Sequence, residues 1–206
     1  MLARSASSSP PTKNNRGGRI EMVVGPMFAG KSQELLTRAT RVRLADDPYI
    51  LVKHASDTRY THDPVVITHT QQRSLDDCQM VTQLADVVVP PETRAIFIDE
   101  CHFFADLVPM CEQWKRAGMY VVAVGLDKDY RRKPWANVCE LMGCCDHVAK
   151  MQAVCKFCKS YEATETVRLS SDIEQVLVGG QDVYLPACYW CHLTYDHSDP
   201  APSATE

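Results

Sequence analysis

Residues 19–32 read RIEMVVGPMFAGKS, from Arg19 to Ser32. The first six, RIEMVV, form a short apolar-rich run that predicts a buried strand, stopped by Gly25-Pro26. Beyond Ser32, the apolar residues Leu35, Leu36, Ala39 and Val42 recur at helical spacing, so a helix is predicted over residues 32–44. The segment between them, Gly25-Pro26-Met27-Phe28-Ala29-Gly30-Lys31-Ser32, fits G-x-x-x-x-G-K-S. Glycines allow the backbone to curl so that successive N–H groups point inward at phosphate oxygens. The helix behind adds the positive end of its dipole. Lys31 brings a cation to the β and γ phosphates, and the Ser32 hydroxyl is a ligand for Mg²⁺. Residues 25–32 are therefore assigned to a nucleoside triphosphate, ATP.

Working outward, apolar runs at residues 50–53, 95–98 and 120–124 predict three further strands, and residues 79–88 and 107–117 predict helices. Short apolar strands alternating with helices imply right-handed βαβ units and a parallel sheet covered on both faces, an α/β fold. The third strand, AIFI, runs directly into Asp99-Glu100. A carboxylate at a strand end beside a phosphate loop is suited to Mg²⁺, which assigns Asp99 to the metal. Glu100 is suited to activating a nucleophile, either water in an ATPase or a substrate hydroxyl in a kinase. The motif by itself leaves both open.

Ten cysteines are present. Residues 1–18 have no apolar stretch of the secretory kind, so a reducing, cytoplasmic compartment is expected and paired cysteines read as metal ligands. Those residues also carry Arg and Ser but no acid, a composition that suits a disordered tail and leaves an organellar transit segment open. Cys155-x-x-Cys158 and Cys188-x-x-Cys191 are two knuckles. Together they make a closed four-sulfur site for a structural Zn²⁺ in a ribbon too small to fold unaided. His192 adjoins the last ligand, but four cysteines suffice. The chain thus divides into a tail at 1–18, a phosphate-loop domain at 19–149, a ribbon at 150–195 and a flexible end at 196–206.

A net charge of −4 argues against a protein that mainly grips nucleic acid. Lysines and acids alternate in the ribbon without forming a basic stripe. No apolar run reaches the ~20 residues of a membrane span. A GTPase would need a guanine reader of the type N-K-x-D, and Leu126-Asp127-Lys128-Asp129 does not fit it.

Taken together, GPMFAGKS, the strand end FIDECHFF, the stretch DTRY at Asp57–Tyr60, the run LDKDYRRKPW and the cysteine quartet closely resemble the small, zinc-containing thymidine kinases of cytosol and bacteria. The likeness spans residues 19–195. It implies a RecA-like P-loop core with a zinc ribbon carrying a lasso loop. It also implies transfer of the ATP γ-phosphate to the 5′-hydroxyl of thymidine, and of deoxyuridine, for DNA precursor salvage. By resemblance, Glu100 is the general base, Arg59 stabilises the transferring phosphate, and Asp57 orients within the same motif. Met27, Leu126, Tyr130 and Trp135 would wall the thymine ring, with Phe103 stacking near it. Val178, Gly179 and Gly180 belong to the lasso, where glycines allow close backbone approach, and Tyr184 would contact the deoxyribose. Thr166 aligns with a threonine near the thymine methyl, one residue farther from Cys158 than expected. The family further implies a homotetramer and inhibition by the end product dTTP. Departures are Tyr130 and Trp135 in place of phenylalanine, Cys101-His102 in place of a small residue and glutamine, and apolar flanks around Tyr184. His102 is read here as solvent-facing or structural rather than catalytic.

Overall fold

The computed structural model describes residues 17–57, 78–170, 172–175, 177 and 179–195. Eight strands occur among them: β1 (Arg19–Val24), β2 (Tyr49–His54), β3 (Cys78–Val81), β4 (Ala95–Asp99), β5 (Tyr120–Gly125), β6 (His147–Lys150), β7 (Glu165–Arg168) and β8 (Tyr184–Ala187). Four helices accompany them: α1 (Lys31–Leu44), α2 (Leu107–Arg116), α3 (Ala136–Cys144) and α4 (Tyr189–Thr194). The first six strands form one all-parallel sheet in the order β3-β2-β4-β5-β1-β6.

Strand alternation decides which side chain faces which helix. Val23, Leu51, Phe97, Val122 and Val124 pack under Leu35, Leu36 and Ala39 of α1. Ile20, Met22, Ile96, Ile98, Val121 and Ala123 face the other way, onto Leu107, Cys111 and Trp114 of α2 and Val138 and Leu141 of α3. Each such fully buried side chain stabilises the fold by about 1.5–3 kcal/mol. Both faces are thus covered, as continuous apolar strands require. The buried positions of α2 fall at i, i+4 and i+7, a single helical stripe.

Residues 79–88 correct the sequence reading. They are not a helix: Cys78–Val81 is the edge strand β3, paired in parallel with β2. A single 3₁₀ turn, Leu84–Asp86, follows. The Asp106 carboxylate accepts hydrogen bonds from the N–H groups of Leu84 (3.1 Å) and Ala85 (2.9 Å), capping the start of the turn. Val87, Val88 and Val89 are β-branched and Pro90-Pro91 has no N–H, so the turn has no helix to grow into.

After β6 the chain leaves the sheet. Residues 151–195 hold a small apolar cluster of Ala153, Cys155, Ala163, Val167 and Ala187, with Ala29 of the phosphate loop packed among them. The antiparallel pair β7–β8 lies here, in the register Thr166 opposite Pro186 and Arg168 opposite Tyr184. Among the described residues no helix is long and apolar enough to cross a membrane.

Candidate active site

The phosphate loop leaves β1 at Gly25 and enters α1 at Lys31. Gly25 has φ +151°, and a Cβ there would lie 2.5 Å from the Met151 carbonyl oxygen, so no larger residue fits. Gly30 caps α1 at φ 82° and ψ 16°, in the left-handed region. Phe28 also has positive φ, 64°. Lys31 is buried and its Nζ donates to the Pro26 carbonyl at 2.7 Å, folding the ammonium over the curl of the loop. The Met27 N–H donates to Thr166 Oγ1 at 3.1 Å.

The end of β4 carries two consecutive carboxylates. Asp99 shares the face of Phe97, toward α1, and there the Ser32 hydroxyl donates to Asp99 Oδ1 at 3.1 Å. The same oxygen accepts the Glu100 N–H at 3.0 Å. Glu100 then turns into the left-handed region, φ 49° and ψ 44°, at a cost of about 1–3 kcal/mol for a non-glycine residue. That twist sends the Glu100 carboxylate to a different place from Asp99. It faces a cleft whose empty space, open solvent at its mouth included, is about 570 Å³.

Most of the substrate residues expected from the sequence meet in that cleft. Met27, Asp57, Glu100, Phe103, Leu126, Tyr130, Trp135, Thr166, Gly179 and Tyr184 all line it. Gly180 does not. Its carbonyl accepts the N–H groups of Val183 (3.1 Å) and Tyr184 (2.9 Å), turning the chain into β8. Arg59 and Val178 lie outside the described residues. Asp57 is buried, with Lys53 Nζ 3.5 Å from its Oδ2.

Other cleft residues were given no ligand role by the sequence reading. His102 is buried with its ring centroid 4.1 Å from Phe103 and 4.9 Å from Trp135. Its Nδ1 accepts the Leu126 N–H at 3.3 Å and stands 3.5 Å from Glu100 Oε2. The turn that holds it is pinned by Asn137 of α3, whose side-chain amide donates to the carbonyls of His102 (3.1 Å) and Phe104 (2.8 Å). Lys128 and Asp129 also line the cleft and tie its wall to the ribbon: Lys128 Nζ meets Glu165 Oε1 at 2.7 Å, and Gln175 Nε2 donates to Asp129 Oδ2 at 3.3 Å.

Arg168 is the largest fully buried side chain, at 1% exposure. Its guanidinium donates to the carbonyls of Asp172 (3.1 Å), Glu174 and Gln175 (3.1 Å) and to the Tyr184 hydroxyl (2.6 Å). It also lies 3.8 Å from the centroid of the Tyr130 ring. The Tyr184 hydroxyl in turn donates to the Leu177 carbonyl at 2.9 Å. The sequence offered no signal for Arg168 beyond its place in an apolar segment, because its partners are backbone groups of a loop.

At the far end of the ribbon, the sulfurs of Cys155, Cys158, Cys188 and Cys191 all lie within 4.8 Å of one another. Cys158 and Cys188 are 3.7 Å apart. Tetrahedral ligands at the usual Zn–S distance of about 2.3 Å would be separated by about 3.8 Å, so the set fits zinc. Burial pushes the Cys155 thiol up, but the N–H groups of Cys158, Cys188 and Phe157 outweigh it and bring the pKa down to about 7. Burial, then hydrogen bonding with Cys188, Cys158 and Cys155, pushes Cys191 well above the ordinary thiol value. One thiolate forms readily and the last is opposed by its neighbours, an arrangement that a bound cation relieves. His192 turns away from the quartet, with Nε2 2.9 Å from the Tyr130 carbonyl.

The family model for thymidine kinase matches residues 18–192. The chain belongs to the thymidine kinase family. Among its relatives are the thymidine kinase of Myxoma virus (strain Lausanne), 36% identical over 181 residues that cover 85% of this chain and 97% of that protein. The thymidine kinase of Vaccinia virus (strain Western Reserve) is 34% identical over 182 residues, covering 86% and 98%. That of Monkeypox virus is 34% identical over the same length. The family match begins one residue before β1 and ends one residue after Cys191, so both the phosphate loop and the quartet of this thymidine kinase family member fall inside it.

Proposed function

We propose that this member of the thymidine kinase family transfers the γ-phosphate of ATP to the 5′-hydroxyl of thymidine, and of deoxyuridine, to give the 5′-monophosphate. One observation carries the reading. Asp99 and Glu100 are consecutive, yet one is hydrogen-bonded to Ser32 of the phosphate loop and the other lines the cleft where Met27, Leu126, Tyr130, Trp135 and Thr166 meet.

In this reading residues 25–32 hold the triphosphate, and Lys31 moves from the Pro26 carbonyl to the β and γ phosphates. Ser32 and Asp99 hold Mg²⁺, which when bound neutralises phosphate charge. Glu100 takes the proton of the 5′-hydroxyl as oxygen attacks phosphorus, and Arg59 stabilises the charge that develops there. Met27, Leu126, Tyr130 and Trp135 confine the base, Phe103 stacks near it, and the segment around Val178, Gly179, Gly180 and Tyr184 covers the nucleoside. Closure over the cleft keeps water from the phosphoryl group and so suppresses ATP hydrolysis. The Cys155, Cys158, Cys188 and Cys191 site holds a structural zinc. The same reading carries a homotetramer inhibited by dTTP, acting in the cytoplasm in DNA precursor salvage, with neither nucleic acid nor membrane as a partner.

Incubating the protein with ATP, Mg²⁺ and a panel of deoxynucleosides tests this. Monophosphate from thymidine and deoxyuridine is expected. ATP consumption without either product would replace the reading by an ATPase.

A further inference from the structure

In a loop of the G-x-x-x-x-G-K-S kind the main-chain N–H groups form the anion-binding surface. Here one of them, at Met27, is held by a side chain 139 positions away, the Thr166 hydroxyl on β7. Both residues are buried. Neighbouring contacts have the same direction. Ala29 sits in the ribbon's apolar cluster, Gly25 backs onto the Met151 carbonyl, and the Met151 N–H donates to the Val24 carbonyl at 2.8 Å. Those are packing and main-chain contacts, whereas Thr166 supplies a polar side chain to the third residue of the curl. Met27 and Thr166 also both line the cleft. Their hydrogen bond is therefore a joint between the wall of one site and the floor of the other.

We propose that Thr166 is a positioning residue for the phosphate loop: its hydroxyl fixes the Met27 N–H and so sets the curvature that receives the triphosphate. This rests on the reading that residues 25–32 take ATP and that the cleft takes the nucleoside. The family resemblance assigned Thr166 to the thymine side alone. The hydrogen bond gives its two substituents separate tasks, the hydroxyl on the donor loop and the remainder of the side chain in the cleft wall.

Two conservative variants separate those tasks in the full-length protein. Thr166→Val keeps the branched shape suited to β7 and removes the acceptor. Thr166→Ser keeps the acceptor and removes the methyl. Calorimetric titration with Mg-ADP should give a Kd weakened about three- to ten-fold in T166V, the range of one net hydrogen bond. T166S should stay within about twofold of the parent. KM for thymidine should move in the opposite pattern, rising in T166S and holding within about twofold in T166V. Zinc content and Tm, measured in parallel, exclude a folding defect, and T166A compared with T166S reads the same hydroxyl should T166V not fold. Equal Mg-ADP affinity in T166V and the parent overturns the proposal, as does an equal loss in T166S. A parent protein that binds no Mg-ADP at all fails the ATP reading itself, and the loop-positioning role with it.

Discussion

Replacing Arg168 by methionine keeps an unbranched chain and removes five N–H donors. In the native fold the two terminal nitrogens reach three carbonyls in residues 172–175 and the hydroxyl of Tyr184, while the guanidinium plane lies over Tyr130. A hydrogen bond to a charged group contributes about 1.5–3 kcal/mol net when buried. Residues 172–174 are exposed, so their carbonyls regain water once the guanidinium is gone and most of that loss is recovered. Tyr184 is buried, but it keeps the Leu177 carbonyl as its acceptor. The net loss is therefore about 2–4 kcal/mol, divided between stability and the ordering of the segment over the cleft. A share of about 1.4–2 kcal/mol in nucleoside binding raises the thymidine KM about 10- to 30-fold. The remainder lowers Tm by about 2–6 °C for a chain of this size. The KM for ATP should change less than twofold, because the guanidinium of Arg168 contacts residues 172–175, Tyr184 and Tyr130 rather than residues 25–32. Steady-state kinetics and a thermal melt on the same preparation measure all three. A soluble R168M protein with thymidine KM and Tm both unmoved would refute the argument that this side chain organises the segment. R168K should recover only part of the loss, since an ammonium cannot fork to several carbonyls.

Glu100→Gln preserves shape but not basicity, so it should bind thymidine normally while kcat falls about 10²- to 10⁴-fold. A rate within threefold of the parent would remove Glu100 from the role of base. Cys188→Ser, or chelation of the native protein, should release one zinc per chain, lower Tm by more than about 5 °C and raise the thymidine KM; unchanged melting after full metal release would dissociate the quartet from the fold. His54 packs against Phe103 and Phe104 with centroids 5.4 and 4.9 Å apart, and burial is the largest cause of its lowered pKa. In the window between its unfolded value near 6.5 and the lower folded value, the unfolded chain binds more protons. Stability should therefore fall as pH drops through that window. His54→Gln should flatten that part of a Tm-against-pH curve, and an identical curve would show that His54 does not supply the slope.

The legible parts of this protein were those whose chemistry demands particular residue types at fixed spacing. The loop GPMFAGKS is recognisable by its place between strand and helix, the four clustered sulfurs by their two knuckles, and Asp99 and Glu100 by an apolar strand that runs straight into two acids. Edge strand β3 was misread because Cys78–Val81 buries mainly Cys78 and so shows little alternation; its pairing with β2 is a tertiary fact. Arg168 was invisible because it serves main-chain carbonyls, which leave no trace in residue identity. The bond from Met27 to Thr166 was invisible for the same reason: one partner is a backbone N–H.

The two acids at the end of β4 show how a single strand end can face both the phosphate loop and the cleft. Strand alternation directs Asp99 to the α1 face, where the phosphate loop ends, and leaves the following residue for the α2 and α3 face. In continued extended geometry, Glu100 would simply face away from Asp99 on the opposite side of the sheet. The left-handed turn at Glu100, together with the 3₁₀ turn Cys101–Phe103 behind it, lifts its carboxylate to the carboxyl edge of the strands instead. Ligands in open parallel sheets settle at that edge. Asn137 and the packed ring of His102 hold the turn from α3 and from the cleft wall. The strain at Glu100 is thus opposed by contacts that lie outside the phosphate loop. Glu100, which lines the cleft, is kept rigid by the cleft's own wall, and Asp99 beside it is held by Ser32.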